Sequence, residues 1–338
     1  MIILAIETSC DETAAAVVKT QKSVIKPLSS VVSSQIPLHR KTRGVVPEVA
    51  ARAHIRKINA VVKKALTDAR IGLKSIDYLA VTNGPGLITS LLIGTEYVKA
   101  LSLAINKKII PTNHMSGHLY SAFLQNPQLK LPSINLIVSG GHTYIVLLAS
   151  KNKIKIIGQT IDDAAGEAFD KVARMLELPY PGGPEISKAA LHGKRDYDFP
   201  RPMQYTKDYN FSFAGLKTAV LYKIRDEKLK MSDPQVVADL AFSFQNAAVD
   251  VLVAKTIRAA KQYKAKSITL SGGVAANKKL RKDLGDAAKK EKLKLYVPDF
   301  KLCTDNALMI ANAAAIKLQG GFKPVNYTKV KVNPGLEI

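Results

Sequence analysis

One order of parts occurs twice along this chain, and the repeat constrains the fold more than any other feature. Residues 2–18 and residues 135–148 each contain a β-rich run, a small polar turn and a second β-rich run. Each half then continues with a strand that enters a glycine-rich loop and a helix, at 78–103 and at 267–288. The repeated order predicts an α/β protein with two related lobes that face each other across a cleft.

The length and composition of the chain agree with two lobes. The sequence has 338 residues, 47% of them hydrophobic, which is enough to bury two cores. We expect lobes at 1–131 and 132–338. The second lobe carries an insert near 194–215, a stretch that begins rich in Pro, Asp, Tyr and Arg and has no clear period.

Cysteine content and hydropathy indicate a cytoplasmic protein. The only cysteines are Cys10 and Cys303, which favours a reducing compartment. No basic segment or cleavage site precedes the first β-rich run, so the sequence predicts no signal peptide. The longest apolar run, 87–105, contains Glu96 and Lys99, which argues against a membrane span.

The strongly basic charge favours a polyanionic partner. The formal net charge is +23, and nucleic acid is the first candidate. Residues 255–294 contain thirteen Lys or Arg and three acids. This segment can be a surface that follows phosphates or the solvated face of two helices, and a lysine-rich genome would also produce the excess. The sequence leaves these alternatives open.

Two histidines at helical spacing form a candidate metal site. Asn113 is a good N-cap, so His114 and His118 are expected in the first turns of one helix and on one face. Metallopeptidase helices carry a glutamate general base directly after the first histidine. That position is Met115 here, which disfavours hydrolysis by that mechanism.

A third metal ligand has to come from elsewhere in the sequence. Asp305 is the best candidate, at the start of a helix, although an Asp in that position can also be only a cap. Cys303 is a softer alternative ligand.

The two turns of the repeat are candidate phosphate sites. Ser139, Gly140 and Gly141 lie between strands and expose backbone N–H groups to a ligand. Thr8, Ser9 and Thr13 can do similar work in the first lobe. A single turn of this kind is usually only a tight turn, but two in matching positions favour a bound nucleotide. His142 is a candidate proton acceptor, although a turn-stabilising role is the simpler interpretation.

An acidic stripe within residues 160–178 is a third candidate. Asp163, Glu167, Asp170 and Arg174 fall on one side of a predicted helix, which a rigid turn at 179–184 follows. An acid there can accept hydrogen bonds from ribose hydroxyls, whereas a plain solvated face is the alternative.

These segments together resemble the TsaD family, formerly called O-sialoglycoprotein endopeptidase or Gcp. The resemblance covers nearly the whole chain. Its blocks are IETSCDET, GVVPEVAARAH, NGPGL, NHMSGH, VSGGHT, DDAAGEAFDK, YPGGP, FSFAGLKTA, SGGVAAN and CTDNALMIA. The forms GEAFDK and YPGGP are similar to the bacterial and organellar branch.

The resemblance implies an actin-like ATPase fold and a transferase. The implied reaction moves threonylcarbamoyl from threonylcarbamoyl-AMP to N6 of the adenosine beside the anticodon, in tRNAs that read ANN codons. By resemblance, His114, His118 and Asp305 bind one divalent metal, Fe²⁺ or Zn²⁺, which assists the acyl transfer. By resemblance, the residues that hold the adenylate are Ile137, Val138, Ser139, Gly140, Gly141, Asp170, Gly183, Ser187 and Asn277.

One position departs from the family pattern. Ser187 stands where some bacterial members have Asp and archaeal members often have Glu. If that acid contacts the nucleotide sugar, one hydrogen bond here is weaker or mediated by water.

The family also implies partners. These are tRNA, a TsaB-type paralogue, a TsaE-type ATPase and a separate synthase that supplies the adenylate, with no membrane. The helix at 52–69 or the helix after Gly86 can supply the apolar face for a partner subunit.

Other functions remain open on the residues alone. A small-molecule carbamoyltransferase or kinase would share the turns and the metal but would not need a basic surface. A metallopeptidase lacks its glutamate, and a non-catalytic nucleotide-binding scaffold has little reason to keep a metal site.

Overall fold

The repeated hairpins fold into two five-stranded sheets of the same design. In the computed structural model, residues 1–21, 24–195 and 197–338 are described. Asp196, within the predicted insert at 194–215, lies outside the described residues, as do Lys22 and Ser23. The chain forms two units. Unit 1 comprises Met1–Gln128 with Asp299–Ile338, and unit 2 comprises Leu129–Pro298.

The strands and helices follow the predicted order. The strands are β1 Ile2–Glu7, β2 Glu12–Gln21, β3 Val24–Ser34, β4 Tyr78–Gly84, β5 Ile109–Asn113, β6 Ser133–Val138, β7 Thr143–Ser150, β8 Lys153–Gln159, β9 Ser267–Ser271 and β10 Lys294–Tyr296. The α-helices are α1 Ile36–His39, α2 Pro47–Ala69, α3 Ile88–Ile105, α4 His114–Ser121, α5 Ala165–Met175, α6 Gly182–Ala189, α7 Ala214–Asp226, α8 Pro234–Gln262, α9 Lys278–Lys290, α10 Phe300–Cys303 and α11 Ala307–Gln319.

The two sheets share one topology. Unit 1 has the strand order β3-β2-β1-β4-β5, and unit 2 has the order β8-β7-β6-β9-β10. In each sheet the central strand, β1 or β6, pairs antiparallel with its hairpin partner and parallel with β4 or β9. The parallel strands of each unit therefore end at one edge of their sheet, where ligands bind in open α/β sheets. We call this the carboxyl edge.

Helices cover both faces of the unit 1 sheet. Ile3 and Ala5 of β1 pack against α11, whereas Leu4 and Ile6 point to the opposite face, against α2 and α3. All four side chains are fully buried. Strands buried on both faces read as continuous apolar runs, which explains why this segment shows no alternation in the sequence.

The chain division differs from the predicted one in one respect. The first boundary lies at Gln128, close to the predicted 131, but the segment Asp299–Ile338 packs with unit 1 and not with the second lobe. The cause is α11, which supplies buried residues such as Leu308, Ile310 and Ala314 to the core beneath β1 and β5. A sequence-based cut cannot detect a helix that returns to the first unit.

Two helices are long and apolar enough to cross a membrane by length and composition, namely α3 and α8. This is weak support for a span, since core helices pass the same test. In α8, 72% of the apolar window is buried inside the protein. The outer face of α3 is different, because Ile88, Leu92 and Leu103 are exposed.

Candidate functional site

The paired histidines lie on one face of α4, at the carboxyl edge of unit 1. Helix α4 starts directly after β5, and the side chain of Asn113 caps it by accepting a hydrogen bond from Ser116 N at 3.0 Å. The predicted cap and the predicted helix are thus both present. The rings of His114 and His118 are 4.8 Å apart and perpendicular, and both side chains are buried.

Asp305 completes the cluster from the other end of the chain. Its Oδ1 lies 3.4 Å from His114 Nε2 and 3.1 Å from His118 Nε2. Asp305 does not cap α11, because Asn306 performs that task by accepting a hydrogen bond from Met309 N at 2.9 Å. The carboxylate of Asp305 is therefore available to the histidines.

Glu7 orients His114 from behind. This fully buried residue ends β1, and its Oε2 lies 3.0 Å from His114 Nδ1. Ser9 N and Thr82 Oγ1 donate hydrogen bonds to the same carboxylate. A carboxylate that accepts from Nδ1 makes Nε2 the nitrogen that would bind a metal ion in place of its proton, an arrangement typical of metal-ligating histidines.

The residues fit a divalent cation. His114, His118 and Asp305 offer ligand atoms that all lie within 4.8 Å of one another. Two imidazole nitrogens and a carboxylate oxygen form a donor set that Zn²⁺ and Fe²⁺ accept. The nitrogen of His118 that faces the cluster is Nε2, which lies 3.1 Å from Asp305 Oδ1.

The electrostatics of the cluster call for positive charge. Burial raises the pKa of Asp305, but the charge of His114 and hydrogen bonds from both histidines lower it more, so the pKa lies well below its usual range. Burial lowers the pKa of His114, but Asp305 and Glu7 raise it well above its ordinary value. Two carboxylates, Glu7 and the partly exposed Asp305, flank His114, and a divalent cation would neutralise their negative charge.

Neighbouring residues show the same negative field. Burial, Asp11 and Asp305 raise the pKa of Glu12 well above its ordinary value. Burial, Asp11 and Asp305 also raise the pKa of the Cys10 thiol. Both groups lie on the β1–β2 connection or the start of β2, so the field extends along this edge of unit 1.

The carboxyl edge of unit 2 is built differently, around an open glycine turn. Ser139 follows β6, and its N–H donates to His142 O at 2.8 Å while His142 N–H donates to Ser139 Oγ at 3.2 Å. Gly140 and Gly141 are exposed between them, and a Cβ added to either would meet nothing within 4 Å. Their backbone can therefore be approached closely by a ligand.

Two other glycines bring neighbouring elements against this turn. A Cβ on Gly166, at the start of α5, would lie 2.5 Å from Ser139 O. A Cβ on Gly272, after β9, would lie 2.3 Å from Val138 O, and its φ of +89° also favours glycine. The N-terminus of α5 and the loop after β9 thus converge on the Ser139 turn, where backbone N–H groups and the helix dipole favour an anion.

Asp170 supports the next glycine-rich segment. Its Oδ1 accepts a hydrogen bond from Gly182 N, the first residue of α6, at 2.7 Å. Gly183 follows, and a Cβ there would also meet nothing within 4 Å. The stripe predicted for 160–178 is shorter than expected, because α5 begins at Ala165 and Asp163 precedes it, paired with Lys171 and Lys217 at 2.8 and 2.7 Å.

Asn277 is held by two partners on neighbouring helices. Its Nδ2 donates to Gln245 Oε1 at 2.8 Å and to Ser187 Oγ at 3.0 Å, while its Oδ1 caps α9 at Leu280 N. Ser187 Oγ lies 3.0 Å from both Gln245 Oε1 and Gly183 O. The side chain of Asn277 is therefore committed within the protein, and its contribution to this edge is to position the loop that precedes it.

Known proteins are similar to this chain along almost its full length. The TsaD family model, described as tRNA N6-adenosine threonylcarbamoyltransferase, matches residues 26–312. A tRNA N6-adenosine threonylcarbamoyltransferase of Thermosipho melanesiensis is 53% identical over 327 residues, which cover 96% of this chain and 97% of the relative. One of Staphylococcus haemolyticus is 49% identical over 320 residues, with 95% and 92% coverage.

The chain belongs to the TsaD family. Solved structures confirm the expected actin-like ATPase fold. HypF from T. kodakarensis has a TM-score of 0.63 at 16% identity over 94% of this chain and 48% of its own. The activator of the 2-hydroxyisocaproyl-CoA dehydratase from Clostridium difficile has a TM-score of 0.54 at 13% identity, covering 96% and 99%.

In this TsaD-family chain, burial restricts how several of the predicted residues can contact a ligand. The side chains of Ile137 and Val138 are fully buried in β6, so only their backbone can serve a ligand. Cys303 is buried, and the metal-type cluster does not include it among the described residues.

The first-lobe turn of the TsaD-family chain is closed, in contrast to the expectation for Thr8, Ser9 and Thr13. Thr8 Oγ1 donates to Ser90 O at 2.9 Å, and Thr13 Oγ1 lies 2.8 Å from His54 Nδ1. Ser9 Oγ lies 3.0 Å from His114 Nδ1. All three are buried, so this turn supports the histidine cluster and not a phosphate.

The sequence did not single out Glu7 and Gln245 as functional residues of the TsaD-family chain. Both are polar residues in apolar surroundings, Glu7 at the end of the β1 run and Gln245 in the middle of α8. A buried polar side chain needs a partner, and this was the signal that could have found them.

Proposed function

We propose that this chain transfers a threonylcarbamoyl group from threonylcarbamoyl-AMP to N6 of the adenosine beside the anticodon, in tRNAs that read ANN codons. The family and its relatives carry the name of this transferase. The observation that supports it most is the cluster of His114, His118 and Asp305, held by buried Glu7, in a chain whose other sheet carries an open glycine edge.

The donor decides what the protein has to supply. Threonylcarbamoyl-AMP is a mixed anhydride and is already activated, whereas an exocyclic amine is a weak nucleophile. No covalent protein intermediate is required. The protein has to align donor and acceptor and to stabilise the negative charge that develops on the carbonyl and phosphate oxygens.

The glycine edge of unit 2 is the proposed adenylate site. Backbone N–H groups of Gly140 and Gly141 donate to phosphate oxygens, and the N-terminus of α5 adds its dipole. Asp170 and Asn277 keep Gly183 and the loop at 272–276 in position through the bonds described above. Ser187 and Gln245 hold the side chain of Asn277 through hydrogen bonds.

His114, His118 and Asp305 are the proposed ligands of Fe²⁺ or Zn²⁺. When bound, such an ion is a Lewis acid for carbonyl or phosphate oxygens. Glu7 keeps the proton of His114 on Nδ1 and so leaves Nε2 as the ligand atom. Met115, which is 1% exposed, occupies the place of a metallopeptidase base, so this site favours acyl transfer over peptide hydrolysis.

Partners and location follow from the same proposal. The adenylate comes from a separate synthase, and the chain works with a TsaB-type paralogue and a TsaE-type ATPase in the cytoplasm. Exposed apolar residues on the outer faces of α2 and α3, Ile55, Ile88, Leu92 and Leu103, support a protein partner on that side of unit 1.

The substrate classes separate this proposal from its rivals. The chain with its partners would be mixed with threonylcarbamoyl-AMP and either unmodified tRNA or the same tRNA with guanosine beside the anticodon. Mass spectrometry of the nucleosides should show modified adenosine only in the first mixture. Product from carbamoyl phosphate and a small amine, with no modified tRNA, would favour a small-molecule carbamoyltransferase.

A further inference from the structure

Lysines are concentrated at the amino edge of the unit 2 sheet, opposite the carboxyl edge. We define the lysine edge as residues 129–133, 150–153, 261–267 and 289–294, which are the connections where β6, β9 and β10 start and where β7 turns into β8. These four segments contain ten lysines and a single acid, Glu291. The lysines are Lys130, Lys151, Lys153, Lys261, Lys264, Lys266, Lys289, Lys290, Lys292 and Lys294.

The sheet register brings the four segments side by side. Ser267 at the start of β9 pairs with Lys294 on one side and Ser133 on the other, and Ser133 pairs with Leu148 near the end of β7. Hydrogen bonds join the connections directly, from Lys266 N to Pro132 O at 2.8 Å and from Ser267 Oγ to Lys130 O at 2.7 Å. Five strands spaced about 4.8 Å apart make this a row of roughly 19 Å.

Lys151 aside, one lysine of the row forms an ion pair with an acid among the described residues. All its lysines are exposed except Lys151, which is half-buried. The one acid, Glu291, pairs with Lys261 at 2.9 Å. The acids of α9 lie on earlier turns and pair with Lys279 and Lys282.

Helix stability explains only part of this pattern. Helices α8 and α9 end at this edge, and lysines in a last turn stabilise a helix through its dipole. That reason applies to Lys261, Lys289 and Lys290, which lie in or beside those last turns. It does not apply to the lysines on the other connections, such as Lys130, Lys153 and Lys266.

We propose that the lysine edge binds the phosphate backbone of the tRNA. This inference rests on the proposed function, which supplies a polyanion as substrate. A row of exposed ammonium groups across five strands suits several successive phosphates. Strand β6 has six residues, so the edge lies about 17–20 Å along the sheet from the Ser139 turn and contacts RNA away from the reacting adenosine. The edge thus contributes affinity and register, and not chemistry.

Salt-dependent RNA binding tests this directly. The triple variant K130Q/K153Q/K266Q removes three exposed charges that helix stability does not explain, and K207Q/K228Q/K230Q removes three exposed charges elsewhere in unit 2 as a matched control. Affinity of the full chain for unmodified tRNA would be measured by filter binding between 50 and 200 mM salt. Each lost phosphate contact lowers the slope of log affinity against log salt by roughly 0.7–0.9, so we expect a drop of about 2 and roughly 10–100-fold weaker binding for the edge variant only.

Equal slopes in wild type and edge variant, or an equal loss in the control, would overturn the proposal. Vesicles that contain phosphatidylserine form a second arm, and loss of vesicle binding with unchanged tRNA affinity would assign the edge to a membrane surface instead. Transfer activity is measured separately under single turnover. If the edge variant binds tRNA weakly but wild type modifies no tRNA, the proposed function fails, whereas the proposal that the lysine edge binds RNA is supported. If wild type modifies tRNA and the edge variant binds it normally, only the edge proposal fails.

Discussion

The two units place opposite chemistry at corresponding edges of two sheets that share one topology. In unit 1 the carboxyl edge is closed and ionic: Glu7, His114 and His118 are buried, and the partly exposed Asp305 lies against both histidines. In unit 2 the corresponding edge is open, and Gly140 and Gly141 have empty space where side chains would be. A side-chain cluster suits a small cation, whereas exposed backbone N–H groups suit a phosphate.

The comparison teaches that topology fixes where a site lies and not what it binds. Both edges are formed by the ends of the central strand and its parallel neighbour. What differs is the connection that follows: a buried turn and a histidine helix in unit 1, but glycine turns and two helix N-termini in unit 2. Each of the following variants changes the carboxyl edge, or the residues that support it, in one unit only.

The largest effect is expected from Gly140→Val, which fills the open edge of unit 2. Because a Cβ there meets nothing within 4 Å, the fold should tolerate the change, with stability within about 0.5 kcal/mol of wild type. Adenylate binding and kcat/KM for transfer should fall by ~100-fold or more. Calorimetric titration with a non-hydrolysable adenylate analogue measures the loss of adenylate binding. Gly72→Val, at an exposed and equally open glycine of unit 1, is the control. Unchanged adenylate binding in Gly140→Val would place the nucleotide elsewhere.

Glu7→Gln tests the support of the cluster in unit 1. The amide keeps the shape but removes the charge that holds the His114 proton on Nδ1, so metal affinity should fall by roughly 10–100-fold. Competition with a chelator, followed by elemental analysis, reports the change. Glu48→Gln alters an exposed carboxylate paired with Arg52 and should have no effect. Equal metal retention in both variants would contradict the role given to Glu7.

Asn113→Ala tests whether the helix that carries the histidines is positioned by its cap. Asn113 accepts from Ser116 N and donates to Leu336 O and Glu337 O, so it ties α4 to the segment near the end of the chain. We expect a loss of about 1–2 kcal/mol in the free energy of unfolding by urea. Asn326→Ala is the matched control, because Asn326 precedes a 3₁₀ turn without a side-chain cap bond. Equal losses in the two variants would remove the capping argument.

The last effect, similar in size to that of Asn113→Ala, concerns the acid stability of the segment behind the glycine edge. Burial raises the pKa of Asp163, but hydrogen bonds and charge from Lys171 and Lys217 lower it by more than burial raises it. Its pKa in the folded protein therefore lies below the ordinary value of 3.8. The carboxylate therefore stabilises the fold above that value, and the contribution is lost as pH falls through the folded pKa. Asp163→Asn should cost about 1–2 kcal/mol at pH 7 and progressively less below pH 4, by urea unfolding. Asp226→Asn, at an exposed residue paired with Arg225, should cost much less. A difference that does not depend on pH would show that charge is not the cause.

Local patterns in the sequence predicted the local parts of the site. The N-cap at Asn113, the histidines four residues apart and the glycine turn after β6 each depend on a few consecutive residues, and the structure has all three. The two hairpins follow equally from the two β-rich repeats.

The parts that join distant segments could not be derived this way. The contact between Glu7 and His114 depends on the placement of β1, β4 and β5 in one sheet, which no spacing in the sequence encodes. The selection of Asp305 over Cys303 was reinforced by family resemblance, and the return of α11 to unit 1 was not anticipated. The burial of Thr8, Ser9 and Thr13 likewise cannot be predicted from local sequence, because their hydrogen-bond partners lie on the distant helices α2, α3 and α4.

Single-turnover transfer tests the central claim, which is that both edges serve one acyl transfer to tRNA. Wild type, His114→Ala and the control His192→Ala, at an exposed histidine, would each be mixed with threonylcarbamoyl-AMP, unmodified tRNA and the partner proteins, and modified adenosine followed by mass spectrometry. We predict product with wild type and His192→Ala, and a loss of ~100-fold or more with His114→Ala while adenylate binding persists. Equal rates in all three proteins would contradict the role of the histidine cluster, and no product with wild type would contradict the transfer itself.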